Sequence, residues 1–146
     1  MKTTRYIIIV GCGRLGSNLA NIFSKRGDSV VIIDKNDETF NKLSPDFSGF
    51  RINGDVTQMA VLNNAKLEQA DVFIATTHDD NVNLMAAQVA KKIFKVSHVL
   101  ARVFDPKREQ VYTRLGVDTI CPTTVATEIF VQSVLKNNNN TKDTNE

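Results

Sequence analysis

The apolar positions of this chain follow two alternating rhythms. Tyr6 to Val10, Val30 to Ile33, Val72 to Ala75 and Val99 to Val103 are short, unbroken and rich in branched residues, as strands covered on both faces of a parallel sheet are. Gly49 to Asn53 reads as a weaker strand before Gly54-Asp55, and Thr119 to Cys121 as a short one stopped by Pro122. Between the runs, apolar residues recur at helical spacing: Leu15, Leu19, Ile22 and Phe23 in one segment, and Val82, Met85, Ala86, Val89 and Ile93 in another, each set forming one face. Gly27 and Gly116 stand where helix C-caps belong, and Pro106 suits a first turn. With right-handed crossovers, this alternation predicts an α/β fold: a Rossmann-like, doubly wound, parallel six-stranded sheet with helices on both faces. Its ligand crevice would lie outside the strand C-termini.

The first run ends in GCGRLG, residues 11 to 16, and a helical pattern follows at once. Between a buried strand and a helix, such a motif is a dinucleotide fingerprint. Gly11 makes the tight turn, Gly13 lets a pyrophosphate approach the backbone, and Gly16 lets the helix lie close to the strand. Phosphates would rest on the helix N-terminus, where unpaired N–H groups and the macrodipole favour an anion. The second run ends in Asp34, whose carboxylate is placed to accept both hydrogen bonds of an adenosine ribose diol.

The predicted last helix, Thr123 to Leu135, carries Val125, Ala126, Ile129, Phe130, Val131, Val134 and Leu135. That set is wider than one sheet face requires, so contact with a second subunit is expected besides contact with its own domain. After Lys136 the chain reads NNNNTKDTNE, with no apolar residue to offset ordering entropy. Residues 137–146 therefore read as a disordered Asn-rich tail or a truncated linker.

Composition narrows the function classes. The 146 residues are 42% hydrophobic and 23% charged, with a net charge of +2 and dispersed basic residues, so nucleic acid is not the expected partner. The basic start, Met1 to Arg5, precedes an apolar run too short for a signal peptide or a span, and a cytoplasmic location is expected. Cys12 and Cys121 have no metal-ligand spacing; they read as small packed residues, and no metal site is predicted.

Taken together, GCGRLG, the acid in VVIIDKN, GDVT at Gly54 to Thr57, ATTHDDNVNLMAAQVAKKIF at Ala75 to Phe94 and ARVFDP at Ala101 to Pro106 resemble one family. The chain looks like the nucleotide-binding N-terminal domain of the RCK or KTN potassium-transport regulators, the Trk/Ktr-type uptake regulators among them. The resemblance covers about residues 5 to 135, giving a domain over 1–136. It implies a cytosolic subunit peripheral to the inner face of the membrane, binding NAD(H), ATP, ADP or AMP as a regulatory ligand. It further implies a homodimer that builds into a ring and a membrane potassium channel or transporter as partner.

The same resemblance suggests roles residue by residue. The glycine turn, with Cys12, Arg14 and Leu15, would hold the phosphates, and Arg14 would reach one of them. Lys35 beside Asp34 is ambiguous, since a cation there also suits a 2′-phosphate, although the carboxylate disfavours one. Asp55 and Val56 belong to the turn passing the adenine, with Asp55 equally readable as a helix cap. Val56 is larger than is usual in the family. Thr76 and Thr77, with Asp79, Asp80 and Asn83 close behind, would face a phosphate or second ribose; Asp80 reads better as a cap for a helix starting at Asn81. His78 stands where the family more often has Asn; a histidine there would add a pH response, a solvent-exposed loop histidine being the plainer reading, and His98 reads as structural. Arg102 interrupts an apolar strand, so its charge must be paired or face the crevice, with a phosphate or Asp79 as the expected partner. Glu128 matches a place where some members hold a divalent cation or form intersubunit contacts; an exposed helix acid is the plainer reading.

Two functions are compatible with the motifs: a non-catalytic sensor gating a potassium transporter, and an NAD-dependent oxidoreductase or free-standing redox sensor. Hydride transfer needs a substrate pocket and a proton donor. Neither Tyr6 nor Tyr112 follows a crevice strand, and the sensor is the expected function.

Overall fold

Ile7, Ile8 and Ile9 are all fully buried, which consecutive residues of a strand achieve only when both faces of the sheet are covered. The computed structural model describes residues 3–140, with side chains through residue 137. In it, Tyr6–Val10 forms β1, Ser29–Asp34 β2, Phe50–Asn53 β3, Val72–Ala75 β4, His98–Arg102 β5 and Asp118–Ile120 β6. These make one six-stranded sheet in the order β3-β2-β1-β4-β5-β6, every neighbouring pair parallel. The helices are Arg14–Lys25 (α1), Met59–Asn64 (α2), Asp80–Gln88 (α3), Glu109–Arg114 (α4) and Pro122–Asn140 (α5).

The order reverses at β1, which lies between β2 and β4. Its last residue, Val10, is opposite Ile33 on one side and Ala75 on the other. That register brings Gly11, Asp34 and Thr76 to the same edge of the sheet, the switch point where such folds bind ligands.

Two cores flank the sheet. Ile7, Ile9, Val30 and Ile32 point to the side of α1, with Ala20, Phe40, Leu43 and Phe47. Ile8, Val10, Val31, Ile33 and Phe73 point to the side of α2 and α3, with Leu62, Leu67, Ala86, Ala87 and Ala90. Alternation along each strand assigns successive residues to opposite layers, as the pleat requires.

Three helical expectations change in the folded chain. Helix α1 approaches the sheet through Gly16, Ser17, Ala20 and Ser24, with Leu19 and Phe23 flanking. Ile22, expected on the buried face, is 55% exposed, because the small residues set the contact stripe and rotate it outward. The second expected face breaks at Val89–Ile93, a π-helical turn in which the N–H of Phe94 bonds the carbonyl of Val89 at 3.2 Å. The wider turn shifts the register, so Phe94 and Val96 pack into the core while Ile93 is 61% exposed. Lastly, α5 does not lie on its own sheet: Val125, Ile129, Phe130, Val131, Val134 and Leu135 are all exposed. It also runs to Asn140, past the boundary expected at Lys136. Extending a nucleated helix adds one bond per residue fixed and needs no new nucleus. The rest of the expected tail, 141–146, lies outside the described residues.

Candidate functional site

A crevice of about 530 Å³ opens at the C-terminal edge of β1, β2 and β4, within the usual range for small-molecule and cofactor sites. Its lining joins Gly11 and Gly13 with Asp34, Lys35, Asp55, Val56, Thr76, Thr77 and Asp79. Nine of the expected site residues thus share one cavity, although they come from four separate stretches of chain.

The glycine turn is built by close approach. Gly11 has φ +93°, and a Cβ there would meet the carbonyl carbon and oxygen of Thr76 at 2.8 Å. At Gly16 a Cβ would stand 1.7 Å from the carbonyl oxygen of Gly11, so α1 touches the turn it follows. The Thr76 hydroxyl closes the other side, 2.9 Å from the Val10 carbonyl oxygen and 3.0 Å from that of Gly11. Helix α1 begins without a side-chain cap at Gly13 and without an acid in its first turn. Its N-terminal N–H groups are therefore free of side-chain acceptors, and a helix start of this kind favours an anion.

Asp34 is fixed before any ligand arrives. Its Oδ2 accepts from the N–H of Cys12 at 2.7 Å, and its Oδ1 from the N–H of Asn36 at 2.8 Å. Its carbonyl accepts from the N–H of Gly54 at 3.0 Å and from the Asn53 amide at 3.1 Å, tying the turn after β3 to the same residue. Each carboxylate oxygen keeps a lone pair for a further donor. Burial pushes the Cys12 thiol up, and the Asp34 charge adds to the effect, with Lys42, Thr39 and Arg51 opposing.

Cys12, Leu15 and Gly16 support the turn from behind and do not line the crevice; Cys12 and Gly16 are buried and Leu15 is half-buried. Arg14, the first residue of α1, is exposed outside the lining. Asp55 lines the crevice and also makes a local turn, accepting from the Thr57 N–H at 2.9 Å and hydroxyl at 2.7 Å. The Thr57 bonds hold its carboxyl below the usual value, and Lys35 adds to this. It does not cap α2, which begins at Met59 after Gln58.

At the start of α3 the capping acid is Asp79, not Asp80. Asp79 accepts from the N–H groups of Asn81 and Val82, and the helix begins at Asp80. Asp80 turns to the next loop, accepting from the N–H of Phe104 at 2.9 Å and of Asp105 at 3.4 Å. The one-residue difference arises because Asp79 has the extended conformation a cap needs.

Asn83 and Arg102, expected at a ligand, act on the protein instead. Asn83 is fully buried. Its Oδ1 accepts from the N–H and hydroxyl of Thr77, and its amide donates to the carbonyls of Thr77 and Arg102. Arg102 is paired, but with the carbonyls of Thr76 and Thr77, to which its Nη2 donates. Its guanidinium carbon lies 4.4 Å from the Phe104 ring centroid. Neither residue lines the crevice; both hold the Thr76–Thr77 wall. Burial draws the guanidinium below its ordinary value, with Asp80 opposing, and an arginine still keeps its charge.

The crevice also takes in Asn36, which precedes the 3-10 turn Asp37–Lys42, and Thr39 and Lys42 within it, together with Thr57, His78 and Val82. The turn carried a legible signal: Asn36 stands before two acids and caps the segment by accepting from the Glu38 N–H. Lys42 had none, since only the folded turn brings it back over the crevice. Glu128 is exposed, and among the described residues no group of three or more His, Cys, Asp or Glu is placed to hold a metal. No described helix is long and apolar enough to cross a membrane.

Comparison with known proteins agrees with this architecture. The profile of the TrkA-N domain matches residues 7–123. A Trk system potassium uptake protein TrkA from Streptomyces coelicolor is 41% identical over 115 residues, 79% of this chain and 52% of that protein. A TrkA homolog from Pyrococcus abyssi is 36% identical over 107 residues, 73% of this chain and 47% of that protein. The chain thus spans about half the length of these relatives. Among solved structures, the TrkA-N domain of the inner membrane protein ybaL from Escherichia coli superposes with a TM-score of 0.78 at 16% identity, covering 90% of this chain and 98% of that one. The GsuK channel bound to NAD gives 0.74 at 22%, covering 88% and 23%. The Kef C-terminal domain of Shewanella denitrificans in AMP-bound form gives 0.73 at 22%, covering 89% and 80%. These likenesses establish the fold, and the matched profile with the TrkA relatives establishes the family: the chain belongs to the TrkA-N domain family.

Proposed function

We propose that this chain is the nucleotide-sensing domain of a potassium-uptake regulator, binding NAD(H) or an adenine mononucleotide without consuming it. The observation that carries this reading is Asp34, a carboxylate held by two backbone N–H groups at the mouth of a glycine turn that admits no Cβ at Gly11 or Gly16. The ribose diol would bond Asp34, the phosphates would rest on the start of α1 near Gly13, and the adenine would lie toward Gly54, Asp55 and Val56. Arg14, exposed beside the turn, would reach a phosphate or serve the neighbouring subunit. Relatives named as Trk potassium uptake proteins, and neighbours solved with NAD, ADP and AMP, support the same ligand class.

A binding role without catalysis is supported by the tyrosines, whose hydroxyls are engaged away from the crevice. Tyr6 donates to the Ala65 carbonyl and Tyr112 to that of Asp80, and neither lines the cavity. The partner would be a membrane potassium channel or transporter, with this domain on its cytoplasmic side. A nucleotide shifts such an assembly only by as much as it binds one arrangement better than the other.

The exposed apolar helix α5 supports a homodimer, with the possibility of larger rings built from it. Val125, Ile129, Phe130, Val131, Val134 and Leu135 encircle much of the helix, and a helix apolar on several sides is ordinarily buried. A twofold arrangement would pack each α5 on its partner.

Potassium uptake in cells lacking the protein, complemented with wild type or Asp34→Ala, tests the regulatory role. Normal uptake in the deletion strain at low and high potassium would refute it. Loss of NADH absorbance with a panel of aldehydes, ketones and quinones, abolished by a crevice mutation, would favour the oxidoreductase instead.

A further inference from the structure

The two ends of the crevice differ in charge. The ribose and adenine walls carry Asp34, Asp55, Lys35 and Lys42, whereas the lining at the phosphate turn consists of Gly11, Gly13, Thr76, Thr77, His78 and Asp79. No lysine or arginine lines that second end. Arg14, beside the turn, lies outside the lining, and His78 is the lining side chain at that end able to become a cation.

The imidazole is placed to use that charge. A Cβ built on Gly13 would stand 3.7 Å from His78 Nε2 and 4.0 Å from Cε1, so the ring edge overhangs the phosphate turn. The ring stacks on Phe104, with centroids 6.1 Å apart and planes inclined by 20°. Phe104 is held in turn, its N–H bonded to Asp80 and its ring approached by the Arg102 guanidinium. Among the described residues no protein group bonds either imidazole nitrogen, which leaves both available to a ligand.

A terminal phosphate and a bridging one differ in the charge they present. Both phosphates of a dinucleotide are substituted on two sides, by a ribose ester and by the shared anhydride, and carry one negative charge each, whereas a terminal phosphate, substituted once, takes a second charge near pH 6 to 7. An imidazolium discriminates between them through a charge-assisted hydrogen bond, and histidine as a class changes charge between pH 5 and 8.

We propose that His78 is a specificity-determining residue of the crevice: held by Phe104 over Gly13, its cationic form bonds a terminal phosphate, and its own contribution to favouring mononucleotides over dinucleotides grows as pH falls. This rests on the nucleotide reading of the crevice. The charges on the surrounding elements act in both directions. The nearest are Asp79 and Asp80 of α3, Arg14 at the start of α1 and Arg102 near Phe104. Across the cavity, Asp34 and Asp55 stand with Lys35 and Lys42, so the far wall adds no single-signed field.

The test is calorimetric titration of the full chain with ADP and with NAD at about pH 6 and about pH 8, for wild type and His78→Gln. Between about pH 8 and about pH 6 the preference for ADP over NAD in wild type, divided by that in the variant, should rise about fivefold to tenfold. The phosphate's own titration is common to both proteins and cancels between them. A ratio unchanged by pH would overturn the role of His78 while leaving nucleotide binding intact. Binding of neither ligand to wild type would overturn the nucleotide reading itself.

A second measurement needs no variant. The sequence has two histidines, and His98 opens β5 at the edge of the sheet away from the crevice. Adding ADP at pH 6 should move the imidazole proton resonances of His78 and not those of His98. Equal or absent shifts in both would refute the contact.

Discussion

The backbone N–H of Cys12 donates to Asp34 Oδ2 at 2.7 Å, so the acid that ends β2 also fixes the glycine turn that follows β1. Asp34→Ala should therefore weaken NAD and ADP binding by about 1.5–3 kcal/mol, the scale of a hydrogen bond to a charged group. Asp34→Asn, which keeps one acceptor oxygen, should lose less than Asp34→Ala. Isothermal titration checks both, and equal affinity in wild type and Asp34→Ala would remove the carboxylate from the site.

Gly16→Ala places a methyl where the Gly11 carbonyl oxygen already lies, 1.7 Å away. Helix and turn must then separate, and a loss of at least about 3 kcal/mol is expected from denaturant unfolding. Gly27→Ala, in open space but at φ +91°, should cost only about 1 kcal/mol. Similar losses at both positions would argue against close packing of α1 on the turn.

Alkaline pH should destabilise the protein through its two tyrosines and Cys12. Burial pushes Tyr6 up, with Glu68 adding; burial likewise raises Tyr112, with Asp80 adding and Arg108 opposing; Cys12 is raised as well. The native state then holds protons that the unfolded chain releases, so stability is full below the ordinary thiol and phenol values of 9.0 and 10.0 and declines as pH rises through the native ones. Absorbance titration should show both phenols ionising above their ordinary value in the native protein and returning to it in denaturant. Ordinary values in the native protein would contradict the buried hydroxyl bonds.

Phe130 is 74% exposed and Ile129 58%, on the helix proposed to pack on a second copy. Light scattering at concentrations on the order of tens of micromolar should give a dimer, and Phe130→Glu should shift it toward monomer by placing a charge in the interface. A monomeric wild type, or a dimer unaffected by the substitution, would assign the apolar helix to another partner.

The elements that could be read from the sequence were those where one local pattern suffices. Continuous branched runs marked β1, β2, β4 and β5, because burial on both faces leaves no polar positions. The glycine turn was legible because close backbone approach excludes every side chain, and only glycine satisfies it. The faces of α1 and α3 were less so. There, apolar spacing named Leu19, Phe23, Val82, Met85, Ala86 and Val89, which do pack, but also Ile22 and Ile93, which are exposed, and it passed over the small residues Gly16, Ala20 and Ala90 that complete the contact. Periodicity records which residues prefer burial; the distance to the sheet selects which are small enough to touch it.

The sequence by itself determined the alternating α/β order, the glycine turn and the acid that ends β2, since each rests on short-range sterics and the two covered faces of a parallel strand. Only the tertiary structure decided the roles of Arg102 and Asn83, whose partners at Thr76 and Thr77 come from a neighbouring strand end. It likewise decided that Lys42 and His78 reach the crevice and that α5 stands clear of its own sheet. A side chain's charge and size are local properties, but what neutralises or covers it depends on segments brought together by folding.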